Sequence, residues 1–131
     1  MEIAIKQSGV PVAEIGYINA HATGTKEGDK SEAAAIMSVF GDSLETLKVS
    51  ATKSMTGHLF GAAGGIEAII TLEALRHGLL PPTINLDAPD GECDIPHVCN
   101  KAEQTSTRYA LSNSFGFGGH NASLVFGKYE E

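Results

Sequence analysis

The chain has no tryptophan, and only 6% of its 131 residues are aromatic. It has nine lysines and arginines against sixteen aspartates and glutamates, a formal charge of -7. Binding to a phosphate backbone requires a basic face, so nucleic acid is excluded as a partner. Two cysteines, Cys93 and Cys99, are too few for a disulfide framework or a zinc site, and no metal is expected. One disulfide between them is open, but two thiols in a cytoplasmic protein is the favoured reading. No basic stretch followed by an apolar run comes after Met1, so no leader peptide is expected. The most apolar stretch, Gly61 to Leu72, is broken by Glu67 and is too short to span a membrane. What is present fits one globular domain: 42% hydrophobic and 19% charged residues, enough for a core.

Local patterns give an order of elements. Glu2 to Gln7 reads as the end of a helix stopped by Ser8-Gly9 and Pro11. Ile15 to Ile18 is a strand candidate. Asp29 and Glu32 form a capping signal, followed by Ala33, Ile36, Met37 and Phe40 at helical spacing and by Gly41 as a stop. Leu47 to Ala51 reads as a strand. Gly61 to His77 reads as a helix with Ile66, Ile69, Ile70 and Leu72 spread around it, which predicts burial on several sides. Gly78 and Pro81-Pro82 end it. Ile95 to Cys99, Arg108 to Asn113 and Ala122 to Gly127 complete the strands. Alternating strands and helices predict an α/β fold with a mixed, mostly parallel sheet and helices on its faces.

Three polar, glycine-containing loops follow three of these strands: Asn19 to Thr25, Thr52 to His58, and Asn113 to Asn121. Parallel strands would open all three on one sheet edge, where ligands of such folds bind. Each piece alone has a plain reading. An isolated His21 is most often a turn histidine, and an isolated Lys53 a solvated charge. Gly57-His58-Leu59 could merely start a helix, and Gly116, Gly118 and Gly119 merely a tight connection. A dinucleotide cradle fails on context, because those glycines lie between two strands rather than before a helix. Taken together, two histidines and a lysine suit a site for a developing oxyanion, where one preorganised donor is worth about 3–4 kcal/mol.

The runs Asn19-Ala20-His21-Ala22-Thr23-Gly24-Thr25 with Gly28-Asp29, Thr52-Lys53-Ser54-Met55-Thr56-Gly57-His58 with Gly61-Ala62-Ala63-Gly64, Pro81-Pro82-Thr83-Ile84-Asn85, and Asn113-Ser114-Phe115-Gly116-Phe117-Gly118-Gly119-His120-Asn121 occur here in order. In that register the chain resembles the β-ketoacyl-acyl carrier protein synthases, condensing enzymes with a thiolase-like fold. The match looks nearest to the discrete elongating synthases of fatty acid synthesis. The resemblance covers nearly the whole chain. It departs where Ala22 and Gly24 replace the usual glycine and serine, and where His120 replaces a common threonine.

The resemblance implies a decarboxylative Claisen condensation between an acyl thioester and malonyl-acyl carrier protein. It implies that His21 and His58 bind the malonyl thioester carbonyl, that Lys53 supports His58, and that Glu67 joins the polar network behind them. The Phe117 N–H would serve the oxyanion hole and its ring would gate the acyl pocket. Thr23 and Thr25 would hydrogen-bond the phosphopantetheine arm, which the carrier protein supplies, so no bound cofactor is expected. Residues 1–131 would be one incomplete C-terminal synthase domain. The family's nucleophilic cysteine lies in an N-terminal half, and neither Cys93 nor Cys99 matches its motif; acidic neighbours disfavour a Cys93 thiolate. The expected partners are the carrier protein with its thioesters, the N-terminal half and, for the assembled enzyme, a second copy in a homodimer. The chain alone is expected to have little or no condensing activity and to expose an apolar face. A non-catalytic or split subunit, and a polyketide ketosynthase, are the rival readings. A thiolase is disfavoured, because thiolases place a second cysteine where one of the two histidines stands.

Overall fold

The computed structural model describes residues 1–129. Its order is α1 (Glu2–Ser8), β1 (Ile15–Asn19), α2 (Lys26–Phe40), β2 (Lys48–Ser50), α3 (Lys53–Thr56), α4 (Ala63–His77), β3 (Leu79–Leu80), β4 (Glu103–Gln104), β5 (Tyr109–Phe115) and β6 (Asn121–Gly127). Four strands form the main sheet in the order β2-β1-β5-β6. β1 runs parallel to both β2 and β5, while β6 returns antiparallel to β5. The mixed, mostly parallel sheet is therefore as expected. β3 and β4 form a separate antiparallel pair.

The central strand β1 sends side chains into two cores. Ile15 and Ile18 join Ile36, Phe40, Leu47, Val49 and Leu111 on one face. Tyr17 joins Ala74, Leu75, Leu80, Val98 and Ala110 on the other. A regular strand would put Ile15 and Tyr17 on the same face. A shift in pairing with β5 between these residues resolves this, because an extra residue reverses the side-chain alternation. The shift centres on Gly16, whose N–H donates to Thr107 Oγ1 at 3.1 Å. A Cβ at Gly16 would lie 2.6 Å from that oxygen, so a side chain has no room there.

Four local expectations change. The helix expected from Asp29 starts earlier, with Thr25 as its N-cap residue. Asp29 lies one turn in and instead accepts from the Gly24 N–H at 3.2 Å. The stretch Ile95 to Cys99 is not a strand, since Pro96 has no N–H to donate. It makes isolated parallel bridges, Val49 to His97 and Thr83 to Cys99. The Gly61-Ala62 start of the expected helix is a 3-10 turn, Phe60–Ala62. Finally, α4 is not buried on several sides. Ala63, Glu67, Thr71, Ala74 and Leu75 form one buried stripe, whereas Ile66, Ile69 and Leu72 are exposed. No helix among the described residues is long and apolar enough to cross a membrane.

Candidate active site

β1, β2 and β5 are parallel, so the loops that follow them open on one edge. The loop after β1 presents His21, and the loop beyond β2 and α3 presents His58. Their rings meet edge to face, with centroids 5.6 Å apart. Phe115, at the end of β5, lies 5.5 Å from His21. Phe60, held at φ 47, stacks on His58 at 5.2 Å. The convergence expected from topology therefore holds for both histidines. His58 is exposed and His21 is half-buried, so a ligand could reach the pair from outside.

Behind the imidazoles lies a buried polar layer. Lys53, on α3, is ion-paired with Glu67 on α4, and both side chains are nearly excluded from solvent. The Lys53 ammonium was expected to support His58; its hydrogen-bond partner is Glu67 Oε1. Its charge nevertheless acts on the site. Burial first, then the Lys53 ammonium and then His58, push His21 from 6.5 down to about 4. His21 is thus neutral near pH 7, as an imidazole must be to donate from one nitrogen and leave the other free. His21 Nδ1 and Glu67 Oε2 are both buried and lack a hydrogen-bond partner among the described residues.

Asn19 ties this layer to the strand. Its Nδ2 donates to the Glu67 backbone carbonyl at 3.3 Å, and its Oδ1 accepts from Thr52 Oγ1 at 3.0 Å. Glu32, on α2, holds the His21 loop from the opposite side. It accepts from the His21 N–H at 3.0 Å and the Ala22 N–H at 2.8 Å. Asn113 Nδ2 donates to it at 2.9 Å, and Asn113 Oδ1 accepts from Ser123 Oγ at 2.8 Å. Ala22 sits at φ 20, a sparsely populated conformation that needs such fixing. The desolvated site raises the Glu32 carboxyl pKa, and the three donors pull it back. In the sequence Glu32 reads as part of a helix cap, and Asn19 and Asn113 carry no separate role. The available signal was their presence inside the histidine and glycine-rich motifs.

Thr23 and Thr25 place their hydroxyls 3.3 Å apart on the rim of this loop. Phe117 opens the Phe117–Gly119 turn between β5 and β6, where Gly118 and Gly119 take φ 79 and φ 82. Its ring is fully exposed; the aromatic ring against His21 is that of Phe115. Cys93 and Cys99 are free thiols. Burial and the Asp90, Asp29 and Glu92 carboxylates raise the Cys93 pKa, which disfavours the thiolate.

Comparison with known proteins agrees with this geometry. Residues 1–87 match the family described as Beta-ketoacyl synthase, C-terminal domain. The chain is 49% identical over 130 residues to 3-oxoacyl-[acyl-carrier-protein] synthase 2 of Staphylococcus aureus strain COL, covering 99% of this chain and 31% of that protein. It is 49% identical over 127 residues to the synthase 2 of Synechocystis, covering 97% and 30%. The chain thus spans about a third of the length of these relatives. The ishigamide ketosynthase/chain length factor superposes with a TM-score of 0.94 at 43% identity, over 98% of this chain and 32% of that one. A β-ketoacyl synthase of Burkholderia phymatum gives 0.93 at 35%, over 99% and 31%. A type II polyketide ketosynthase solved with its acyl-carrier protein gives 0.94 at 31%, over 98% and 32%. Matched over residues 1–87 by the family's C-terminal domain and 49% identical to a member along 99% of its own length, the chain belongs to the β-ketoacyl synthase family and corresponds to that domain.

Proposed function

We propose that this chain supplies the malonyl-binding half of a 3-oxoacyl-acyl carrier protein synthase that elongates fatty acids in the cytoplasm. The observation that carries this reading is the neutral His21 beside His58, 5.6 Å apart and backed by a buried ion pair. Two imidazole N–H groups aimed at one thioester carbonyl oxygen stabilise the enolate formed as malonyl-carrier protein loses carbon dioxide. The C–C bonding pair of the departing carboxylate becomes the enolate. That enolate attacks an acyl thioester, a new C–C bond forms, and the thiolate leaves. The acyl thioester sits on a cysteine from the part of the synthase that precedes this domain in the relatives. Burial and the Lys53 ammonium keep His21 neutral, and Glu32 holds its loop in place. The Phe117 N–H donates to the acyl oxyanion, with its ring as the gate that closes on the completed pocket. Thr23 and Thr25 hydrogen-bond the phosphopantetheine arm of the carrier protein.

The exposed Ile66, Ile69 and Leu72 on α4, with Leu59 and Phe60 beside His58, support a partner on this face. Burying such residues against a second domain is worth about 1.5–3 kcal/mol each. That domain is the N-terminal half, and the assembled enzyme is a homodimer. The decisive experiment fuses residues 1–131 to the N-terminal remainder of the S. aureus synthase 2. The folded chimera is expected to condense acyl- and malonyl-carrier protein, and His21→Ala to slow malonyl decarboxylation by about 10²–10³. A folded chimera that does not condense, or full activity after His21→Ala, refutes the assignment; so does turnover by the chain alone. The 43% identity to the ishigamide ketosynthase/chain length factor and the 31% identity to a type II polyketide ketosynthase favour one alternative, a polyketide ketosynthase. Acyl-substrate profiling of the same chimera distinguishes it.

A further inference from the structure

Phe60 is bulky, 82% exposed and held at φ 47. Burial in the core therefore does not account for its position. A left-handed backbone is sterically costly for any residue with a Cβ, and an outlier for a bulky one. Strain of this kind persists only where the surrounding structure fixes it, and it concentrates at functional sites. The same stretch shows the contrast. Gly57 takes φ 71, and glycine adopts that conformation freely. Leu59 lies at an ordinary φ of -85.

The turn at Phe60 has a geometric consequence. Side chains two residues apart do not face each other on a helix, and on a strand they stand roughly 6.5–7 Å apart. Here the Phe60 ring folds back over the His58 ring, with centroids 5.2 Å apart and planes at 21°. Among the described residues, the ring contacts of His58 are this stack and the edge-to-face contact with His21, at 5.6 Å and 87°. His58 is exposed, so no surrounding core fixes its plane. An imidazole N–H lies in the ring plane, and a hydrogen bond weakens steeply as its angle falls. The plane of the ring thus decides what His58 can donate to. A phenyl face holds that plane without competing for either nitrogen. We propose that Phe60 is a positioning residue for the condensation, whose stack sets the plane of the His58 imidazole and so the direction of its N–H. This rests on the reading of His58 as a donor to the malonyl thioester carbonyl.

Three substitutions test it. Phe60→Gly removes the ring and relieves the backbone, Phe60→Leu keeps an apolar side chain without an aromatic face, and Phe60→Tyr keeps the face. In the whole chain, NMR reads the nuclear Overhauser effect between the His21 and His58 rings. It should be lost in Phe60→Gly and Phe60→Leu and retained in Phe60→Tyr. The urea midpoint of Phe60→Gly should be unchanged or higher, since glycine accepts φ 47 freely. In the chimera with the N-terminal remainder of the S. aureus synthase, kcat for malonyl decarboxylation should fall about two- to tenfold in Phe60→Gly and Phe60→Leu, the worth of one aromatic pair. KM should not change, and Phe60→Tyr should match the unsubstituted chimera. Retention of the ring–ring effect in Phe60→Gly and Phe60→Leu overturns the proposal. So does a lowered midpoint in Phe60→Gly, which would make the ring merely structural, or a rise in KM with kcat unchanged, which marks uniform substrate binding. An inactive unsubstituted chimera refutes the malonyl reading instead, and the NMR measurement on the chain alone still decides whether Phe60 orders His58.

Discussion

Replacing Glu32 by alanine should loosen the His21 loop without touching either imidazole. Glu32 is 5% exposed and accepts from the His21 N–H, the Ala22 N–H and Asn113 Nδ2 at 3.0, 2.8 and 2.9 Å. Each intramolecular hydrogen bond contributes about 1 kcal/mol net, with desolvation already counted. Three lost bonds give about 3 kcal/mol for Glu32→Ala. That is a large share of the roughly 5–15 kcal/mol that holds a domain folded. Urea unfolding followed by far-UV circular dichroism measures it, as a lower midpoint at unchanged slope. Asn113→Ala removes one of the same bonds, so the two substitutions share part of their cost. Their double mutant should lose less than the sum. A Glu32→Ala cost within about 0.5 kcal/mol of zero, or strict additivity with Asn113→Ala, refutes the loop-clamp reasoning.

The buried pair behind the histidines predicts an asymmetry. Lys53→Met or Glu67→Met alone strands one buried charge and should cost about 3–5 kcal/mol, whereas the double replacement should recover much of that; thermal unfolding of the three variants decides it. His21 gives a pH signature. Its folded value of about 4 lies below the ordinary 6.5, so in that window the unfolded chain binds more protons. Stability linked to His21 is full above about 6.5, falls as pH drops toward about 4, and is flat below. Urea midpoints across this window should fall more for the native chain than for His21→Ala, and parallel curves would refute the burial-and-charge origin of the shift.

Much of this protein could be read along the chain. Strand and helix order followed from short apolar runs, capping residues and glycine stops, which are local signals. The histidine pair and its lysine were legible because each motif sits just after a strand, and parallel strands bring such loops to one edge. What failed were judgements that depend on neighbours. The apolar residues of α4 suggested burial all round, yet Glu67 and Thr71 face inward while Ile66, Ile69 and Leu72 face out. Hydrophobicity reports that a residue seeks a partner but not which element supplies it. Gly16 read as one more strand residue, although a shifted register there turns Ile15 to the other face.

By itself, the amino-acid order determined most of the longer elements, the mostly parallel sheet and the types of group gathered at its edge, because these follow from period, backbone freedom and chain direction. Only the tertiary structure decided which groups touch. It paired Lys53 with Glu67, put Phe115 against His21, and set Glu32 under the His21 loop. The reason is physical. Desolvated charges and strained backbone are stabilised by specific neighbours at hydrogen-bond distance, and such neighbours lie far apart in the chain.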